Sequence, residues 1–97
     1  MPKGYIIAEL TVTSPGPAFD EYRAKVLGTI EAFGGRFLVR SGDPKLLEGN
    51  QPAGRAVIIE FDSPDRAMAW YNSTEYQEIL PLRLRNAVSR TLCAVGT

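Results

Sequence analysis

Apolar and polar residues alternate along the first segment of the chain, from Tyr5 to Val12. One face carries Ile6, Ala8, Leu10 and Val12, and the other carries Tyr5, Ile7, Glu9 and Thr11. This period of two predicts a β-strand. After a turn at Ser14–Pro17, apolar residues recur every three or four positions from Phe19 to Phe33, which predicts a helix of about four turns. Gly34 and Gly35 end it, since glycine readily adopts the positive φ of a helix cap.

Two further strands are predicted in the middle of the chain. Arg36–Arg40 indicates a second strand, followed by a turn at Ser41–Pro44. Arg55–Phe61 indicates a third strand that is apolar on both faces, as a central strand covered on both sides should be. The intervening Lys45–Gly54 is rich in turn formers, and we expect a hairpin loop there with a short strand extension.

The last third of the chain repeats the pattern of helix and strand. Asp62–Asp65 predicts a helix start, because it combines a capping side chain, a proline in the first turn and an acid near the positive end of the helix dipole. Ser73–Glu75 resembles a second cap, and Pro81 is expected to kink or restart the helix. Val88–Val95 predicts the fourth strand.

The element order is therefore β-α-β followed by β-α-β. We expect one α+β domain over residues 1–97 with a ferredoxin-like fold, in which both helices cover one face of a four-stranded antiparallel sheet. The other face would present about 300 Å², from about 3.3 Å per residue and 4.8 Å between strands. Its side chains, among them Tyr5, Ile7 and Leu38, are too apolar to leave in water. We therefore predict a homodimer that forms through this sheet face.

Composition excludes several classes of function. Eleven basic residues balance eleven acidic ones, so the chain lacks the positive charge typical of nucleic-acid binding. No apolar run approaches the roughly 20 residues that cross a bilayer, and we expect no membrane partner. The start of the chain leads into a strand pattern without a signal-peptide core, and its single cysteine, Cys93, cannot form an internal disulfide. We expect a cytoplasmic protein in which Cys93 is a small buried apolar residue.

Histidine is absent from the sequence. This removes the commonest general base at neutral pH, the usual zinc and haem ligand, and any Ser-His or Cys-His nucleophile pair. Because cysteines and acids do not cluster either, we expect neither a bound metal nor a cofactor.

Two arginines are the first candidates for a binding site. Arg36 and Arg40 are four residues apart on one strand, so the alternation predicts that both lie on the open face beside Leu38. They need anionic partners, and two interpretations remain open. The acids Glu9, Glu48 and Glu60 could pair with them across the dimer, or an organic acid or enolate could bind between them.

Aromatic residues and one acid complete the candidates that follow from residue chemistry. Trp70, Tyr71 and Tyr76 are either core residues or the walls of a cleft, with a tyrosine hydroxyl able to donate a hydrogen bond. Glu48, in the loop before the third strand, is either a general base or an ion-pair partner.

Several segments resemble one known family. They include Gly34–Arg40, Glu48–Gly49, Arg55–Phe61, Ala69–Gln77 and Leu82–Arg83. Together they are similar to the domain-of-unknown-function family 1330, in the dimeric α+β-barrel superfamily. The resemblance implies a ferredoxin-like protomer that dimerises across its sheet, and no established activity. The family often has an acid in the turn after the first strand, where this chain has Ser14, so a role for that acid does not transfer.

Two hypotheses follow for the function. In the first, a cofactor-independent enzyme acts on an acidic or enolisable small molecule, with Arg40 and Glu48 as candidate catalytic residues. Its candidate binding residues are Arg36, Arg40, Trp70, Tyr71, Tyr76 and Arg83, the last from the Leu82–Arg83 segment of the resemblance. In the second, the protein is a non-catalytic dimer that binds a metabolite or a partner protein.

Overall fold

Four strands and three helices follow one another in the computed structural model, which describes residues 2–50 and 54–97. The order is β1 (Gly4–Val12), α1 (Pro17–Glu31), β2 (Arg36–Ser41), β3 (Arg55–Phe61), α2 (Pro64–Tyr71), α3 (Thr74–Leu84) and β4 (Ala87–Val95). The strands form one antiparallel sheet in the order β2-β3-β1-β4. This confirms the predicted ferredoxin-like fold, with one helix more than expected.

Local sequence signals place the helices. Pro17 is the first residue of α1, and Gly34, at φ 76°, takes the left-handed conformation after the helix. The Ser63 hydroxyl caps α2 by accepting a hydrogen bond from the Arg66 amide, and Ser73 caps α3 in the same way. The second cap divides the predicted helix in two.

The core lies between the helices and the sheet face formed in β1 by Ile6, Ala8 and Leu10. Its largest buried members are Trp70, Tyr76, Phe61 and Ile30. In β1, alternate residues are buried and partly or fully exposed, which is the pattern expected of a sheet covered on one side. The opposite side, called the open face here, carries Tyr5, Ile7, Ala56, Ile58, Val88, Leu92 and Ala94.

Strand β2 differs from the prediction in its register. Arg36 pairs with Glu60 and Phe37 with Ile59, but the next pair is Val39 with Ile58, so Leu38 is an extra residue in a β-bulge. Because a one-residue shift exchanges the two faces of a strand, Arg40 lies on the helix side and Arg36 on the open face. The prediction that Arg36 and Arg40 share the open face is wrong.

Three smaller expectations are also corrected. Helix α3 continues through Pro81 to Leu84, which excludes the restart that was one of the two alternatives for this proline. Residues 42–50 contain no strand extension, and the rest of the predicted extension, at residues 51–53, lies outside the described residues. Cys93 is exposed and not buried, because β4 is an edge strand of the sheet. No helix among the described residues is long and apolar enough to cross a membrane.

Candidate functional site

A cavity of about 80 Å³ lies between the sheet and the helices. Since a single water needs about 10–15 Å³, the cavity has room for several waters. Every strand and every helix contributes to its lining, which consists of Ile6, Ala8, Leu10, Phe19, Tyr22, Arg23, Val26, Phe37, Arg40, Ser41, Arg55, Val57, Ile59, Trp70, Tyr76, Arg83 and Thr91. None of these residues is acidic. The cavity is therefore apolar in its walls and positive in its charged groups.

Aromatic rings form the deep wall of the cavity. The centroids of Trp70 and Tyr76 are 4.1 Å apart, and both side chains are 2% exposed. The Trp70 indole N–H donates to the Thr29 hydroxyl at 3.0 Å, so Trp70 offers the cavity an apolar ring and no free donor. The hydroxyls of Tyr22 and Tyr76 are hydrogen-bonded to each other at 2.8 Å. The break at Ser73 between α2 and α3 lets these rings from different helices meet.

Arg83 is a buried cation beside these hydroxyls. Its side chain reaches the cavity from α3, and the residue is 5% exposed. The guanidinium donates to the Ser89 hydroxyl, and its carbon lies 6.0 Å from the centre of the Tyr22 ring. Burial opposes its charged form, but the neighbouring Tyr76 and Tyr22 outweigh this, so the pKa of Arg83 is raised. Burial also raises the pKa of Tyr22, which keeps its hydroxyl protonated.

Three more arginines surround the cavity, and we call them the rim arginines: Arg23 on α1, Arg40 on β2 and Arg55 on β3. The Arg40 guanidinium stacks over the Phe37 ring at 4.5 Å, so the aromatic side chain supports its position. Within residues 2–50 and 54–97, neither the rim arginines nor Arg83 forms an ion pair with a carboxylate. The cavity thus concentrates positive charge that the described protein groups leave unneutralised.

Arg36 belongs to a different cluster on the open face. It forms an ion pair with Glu60, which is only 9% exposed, and the Tyr5 hydroxyl donates to the same carboxylate at 3.0 Å. This hydrogen bond to Glu60 raises the pKa of Tyr5. Arg36 is therefore paired with an acid of its own protomer, whereas Arg40 forms no ion pair with a described acid.

The other predicted site residues are distributed unevenly. Trp70, Tyr76 and Arg83 join Arg40 at the cavity, whereas Tyr71 packs beside the core, 6.2 Å from Trp70 between ring centroids. Glu48 is exposed in a separate, open depression of about 580 Å³ that also involves Glu9 and Arg90. The structure does not bring Glu48 to the cavity or to Arg40.

Sequence reasoning left Tyr22, Arg23 and Arg55, which also line the cavity, out of its candidate site. The sequence groups Tyr22 with the aromatic residues of the core or a cleft, without a role in binding, and Arg23 follows it directly. Arg55 begins a strand on the same face as Val57 and Ile59, a parity that places it on the helix side. That signal was readable in the sequence. In the described part of the chain, no group of three acidic, cysteine or histidine side chains comes together to hold a metal.

Comparison with known proteins identifies a family and a fold. The model of the family described as "Domain of unknown function (DUF1330)" matches residues 3–97. No curated protein matches the sequence. A solved protein of unknown function from Rhodopseudomonas palustris superimposes with a TM-score of 0.76 at 17% identity, over 96% of this chain and 81% of that one.

Two further solved structures share the fold. SnoaB, a cofactor-independent oxygenase from Streptomyces nogalater, has a TM-score of 0.65 at 11% identity, over 100% of this chain and 95% of its own. A dimeric ferredoxin-like protein of unknown function from Bacteroides fragilis has a TM-score of 0.54 at 11% identity, over 95% and 94%. At such identities these likenesses show the fold alone.

Proposed function

We propose, from the premise that the chain belongs to the DUF1330 family, that its cavity binds a small organic carboxylate with an apolar or aromatic body. The carboxylate lies at the rim arginines, and the body lies against Trp70 and the apolar strand residues. The observation that supports this most directly is the rim itself, where three arginines line one cavity and no described lining residue is acidic.

Electrostatics favours an anionic occupant. Like charges brought close together repel one another, and an anion that binds among them gains attraction without first breaking protein ion pairs. Arginine suits a carboxylate in particular, because its planar guanidinium donates two parallel hydrogen bonds to the two oxygens. The Arg40 guanidinium lies over the Phe37 ring, a contact that restricts its orientation. Binding there costs less side-chain entropy than binding to a free arginine.

Whether a bound ligand is also converted is a separate part of the proposal. The more specific proposal is that the protein converts the bound ligand without a cofactor, and the fold shared with SnoaB is compatible with this. The described cavity residues include no carboxylate or histidine to act as a base, and Glu48 lies elsewhere. The cavity therefore supports binding more directly than it supports the acid-base role predicted for Glu48.

We also propose that the protein is a homodimer formed through the open face. Large apolar side chains remain accessible there, with Leu92 48% and Val88 70% exposed. Solved neighbours from Bacteroides fragilis and Thermobifida fusca are described as dimeric ferredoxin-like proteins. Because the cavity lies on the other side of the sheet, dimerisation would leave its rim arginines free.

A thermal-shift titration with benzoate tests the binding proposal. At 100 times its dissociation constant, a ligand adds about 2.7 kcal/mol, which raises the melting temperature of a domain of this size by roughly ten degrees or more. We expect this shift for benzoate and none for the neutral benzamide. Arg40→Gln should lose most of it. Arg85→Gln is the matched control, because Arg85 is exposed and does not line the cavity.

The opposite results would overturn the proposal. If benzoate and a series of short aliphatic carboxylates leave the melting temperature unchanged, the cavity is not a carboxylate site. If Arg85→Gln weakens the response as much as Arg40→Gln does, the effect is general surface charge and not the rim.

A further inference from the structure

Arg83 carries a buried positive charge, and the proposed carboxylate site at the rim arginines gives this charge no role. The residue is 5% exposed, and its guanidinium donates to the Ser89 hydroxyl and interacts with the hydroxyls of Tyr22 and Tyr76. A guanidinium has five N–H donors. Buried charges are normally paired, because removing them from water without compensation is expensive. Since no buried side-chain nitrogen or oxygen of the described residues lacks a partner, any Arg83 donor left unpaired is accessible, and Arg83 lines the cavity.

The pair of tyrosines beside Arg83, Tyr22 and Tyr76, also has one hydroxyl proton that their mutual hydrogen bond does not use. When the Tyr22 and Tyr76 hydroxyls bond to each other, one proton lies between them and the other remains available. Burial keeps Tyr22 in its protonated, donating form over the physiological range. The deep end of the cavity therefore offers one free O–H and the unpaired N–H groups of Arg83.

We propose that Arg83, Tyr22 and Tyr76 form an inner oxyanion site, which receives a phenolate or enolate oxygen of the ligand. This rests on the proposed function, since the carboxylate of the same ligand lies at the rim arginines. The ligand class is thereby narrowed to planar, unsaturated acids that carry a second, weakly acidic hydroxyl or an enolisable carbonyl group.

A single oxygen fits the inner site better than a second carboxylate does. Its donors, a hydroxyl and a guanidinium, can converge on one atom, as donors do around a developing oxyanion. The rings of Trp70 and Tyr76 provide a flat apolar wall for the conjugated body of such a ligand. In this low-dielectric setting the donors act more strongly than they would in water. The ligand hydroxyl then ionises more readily when bound, and its proton passes to solvent.

The test uses 4-hydroxy-3-nitrobenzoate, whose phenol and phenolate forms absorb at different wavelengths. Its apparent phenol pKa is measured by absorbance titration, free and in the presence of saturating protein. We expect the pKa to fall by about one to two units on binding to the wild type, as charge-assisted hydrogen bonds predict. Benzoate, which has no hydroxyl, is the comparison ligand for affinity.

Variants assign the effect to the inner site. Arg83→Gln should remove most of the pKa shift, and Arg83→Lys should restore part of it by returning the charge. Tyr22→Phe, which removes one hydroxyl and keeps the ring, should reduce the shift. It tests the inner site independently if the Arg83 variants do not fold. Arg85→Gln should leave the shift unchanged. A merely structural role for Arg83 would alter the melting temperature without altering the bound phenol pKa.

Two outcomes separate this proposal from the one on which it rests. If benzoate binds but the bound nitrophenol keeps its free pKa, or if Arg83→Gln and Tyr22→Phe leave the shift intact, the inner site is wrong and the rim remains. If neither compound binds, both proposals are overturned.

Discussion

Deleting Leu38 tests the register of β2 and with it the position of Arg40. In the observed pairing, Leu38 is the residue without a partner between the pairs of Phe37 and Val39. Its removal leaves every other pair as it is and converts the bulge into a regular ladder. We expect the deletion to be tolerated and Arg40 to stay at the cavity.

The expected cost follows from the exposure of Leu38, which is 49%. Burying a leucine fully is worth about 1.5–3 kcal/mol, so about half of that, roughly 1 kcal/mol, is lost. The regular ladder regains about the same amount, since one backbone hydrogen bond contributes about 0.5–1.5 kcal/mol. The net change should lie within about 1 kcal/mol, or at most about 4–8 °C in melting temperature.

Circular dichroism melting and the benzoate thermal shift provide the assay. The Leu38 deletion should fold and respond to benzoate like the wild type, and adding Arg40→Gln to it should abolish the response. Deletion of Ile58, the residue opposite the bulge on the central strand, is the control. Deleting Ile58 shifts the β3 residues on one side of it by one position, which exchanges their faces and should unfold the protein. A folded Leu38 deletion that no longer responds to benzoate would refute the assignment of Arg40 to the helix side.

Three further predictions concern stability and assembly. Gly35→Ala should lower the free energy of unfolding by about 1–3 kcal/mol in urea denaturation, because the new Cβ would lie 2.5 Å from Phe61 and 2.8 Å from Ile30; an unchanged midpoint would contradict this packing. The raised pKa of Tyr22 means that the unfolded chain releases this proton first above pH 10, so the urea midpoint should fall as the pH rises beyond 10, and less steeply in Tyr22→Phe. Leu92→Asp should yield a folded monomer in sedimentation equilibrium at micromolar concentration, and a persistent dimer would exclude the open face as the interface.

The order of elements could be predicted because periodicity depends on short stretches of sequence. The β-bulge could not, since Leu38 is as suitable for a regular strand as Phe37 or Val39 are, and only pairing with β3 shows that it is extra. The extra residue Leu38 made the prediction for Arg40 wrong, because it moves Arg40 to the helix side of the sheet. Arg36 and Arg40 have the spacing of one face, but they lie on opposite sides of the sheet.

A residue of the candidate site was predictable where its side chain had suitable chemistry and the periodicity of its helix or strand indicated the face on which it lies. Trp70 and Tyr76 satisfy both conditions, because helical spacing directs them towards the sheet. Glu48 has only the chemistry, and its loop offers no periodicity from which a direction could be read. Tyr22 was on the correct face but looked like an ordinary core residue, since its hydrogen bond to Tyr76 joins positions 54 residues apart.

The two sides of β3 explain why the dimer and the cavity should be tested with substitutions on different strands. Val57 and Ile59 face the cavity, while their neighbour Ile58 belongs to the open face. A charge at Ile58 would disturb the dimer and the cavity wall together, because adjacent residues share one backbone. Leu92 lies on edge strand β4, where only one of its neighbours, Thr91, lines the cavity, so Leu92→Asp disrupts the open face with less effect on the cavity wall. If that monomer still binds benzoate with unchanged affinity, each protomer contains a complete site; if binding is lost, the dimer is required to hold the rim arginines in place.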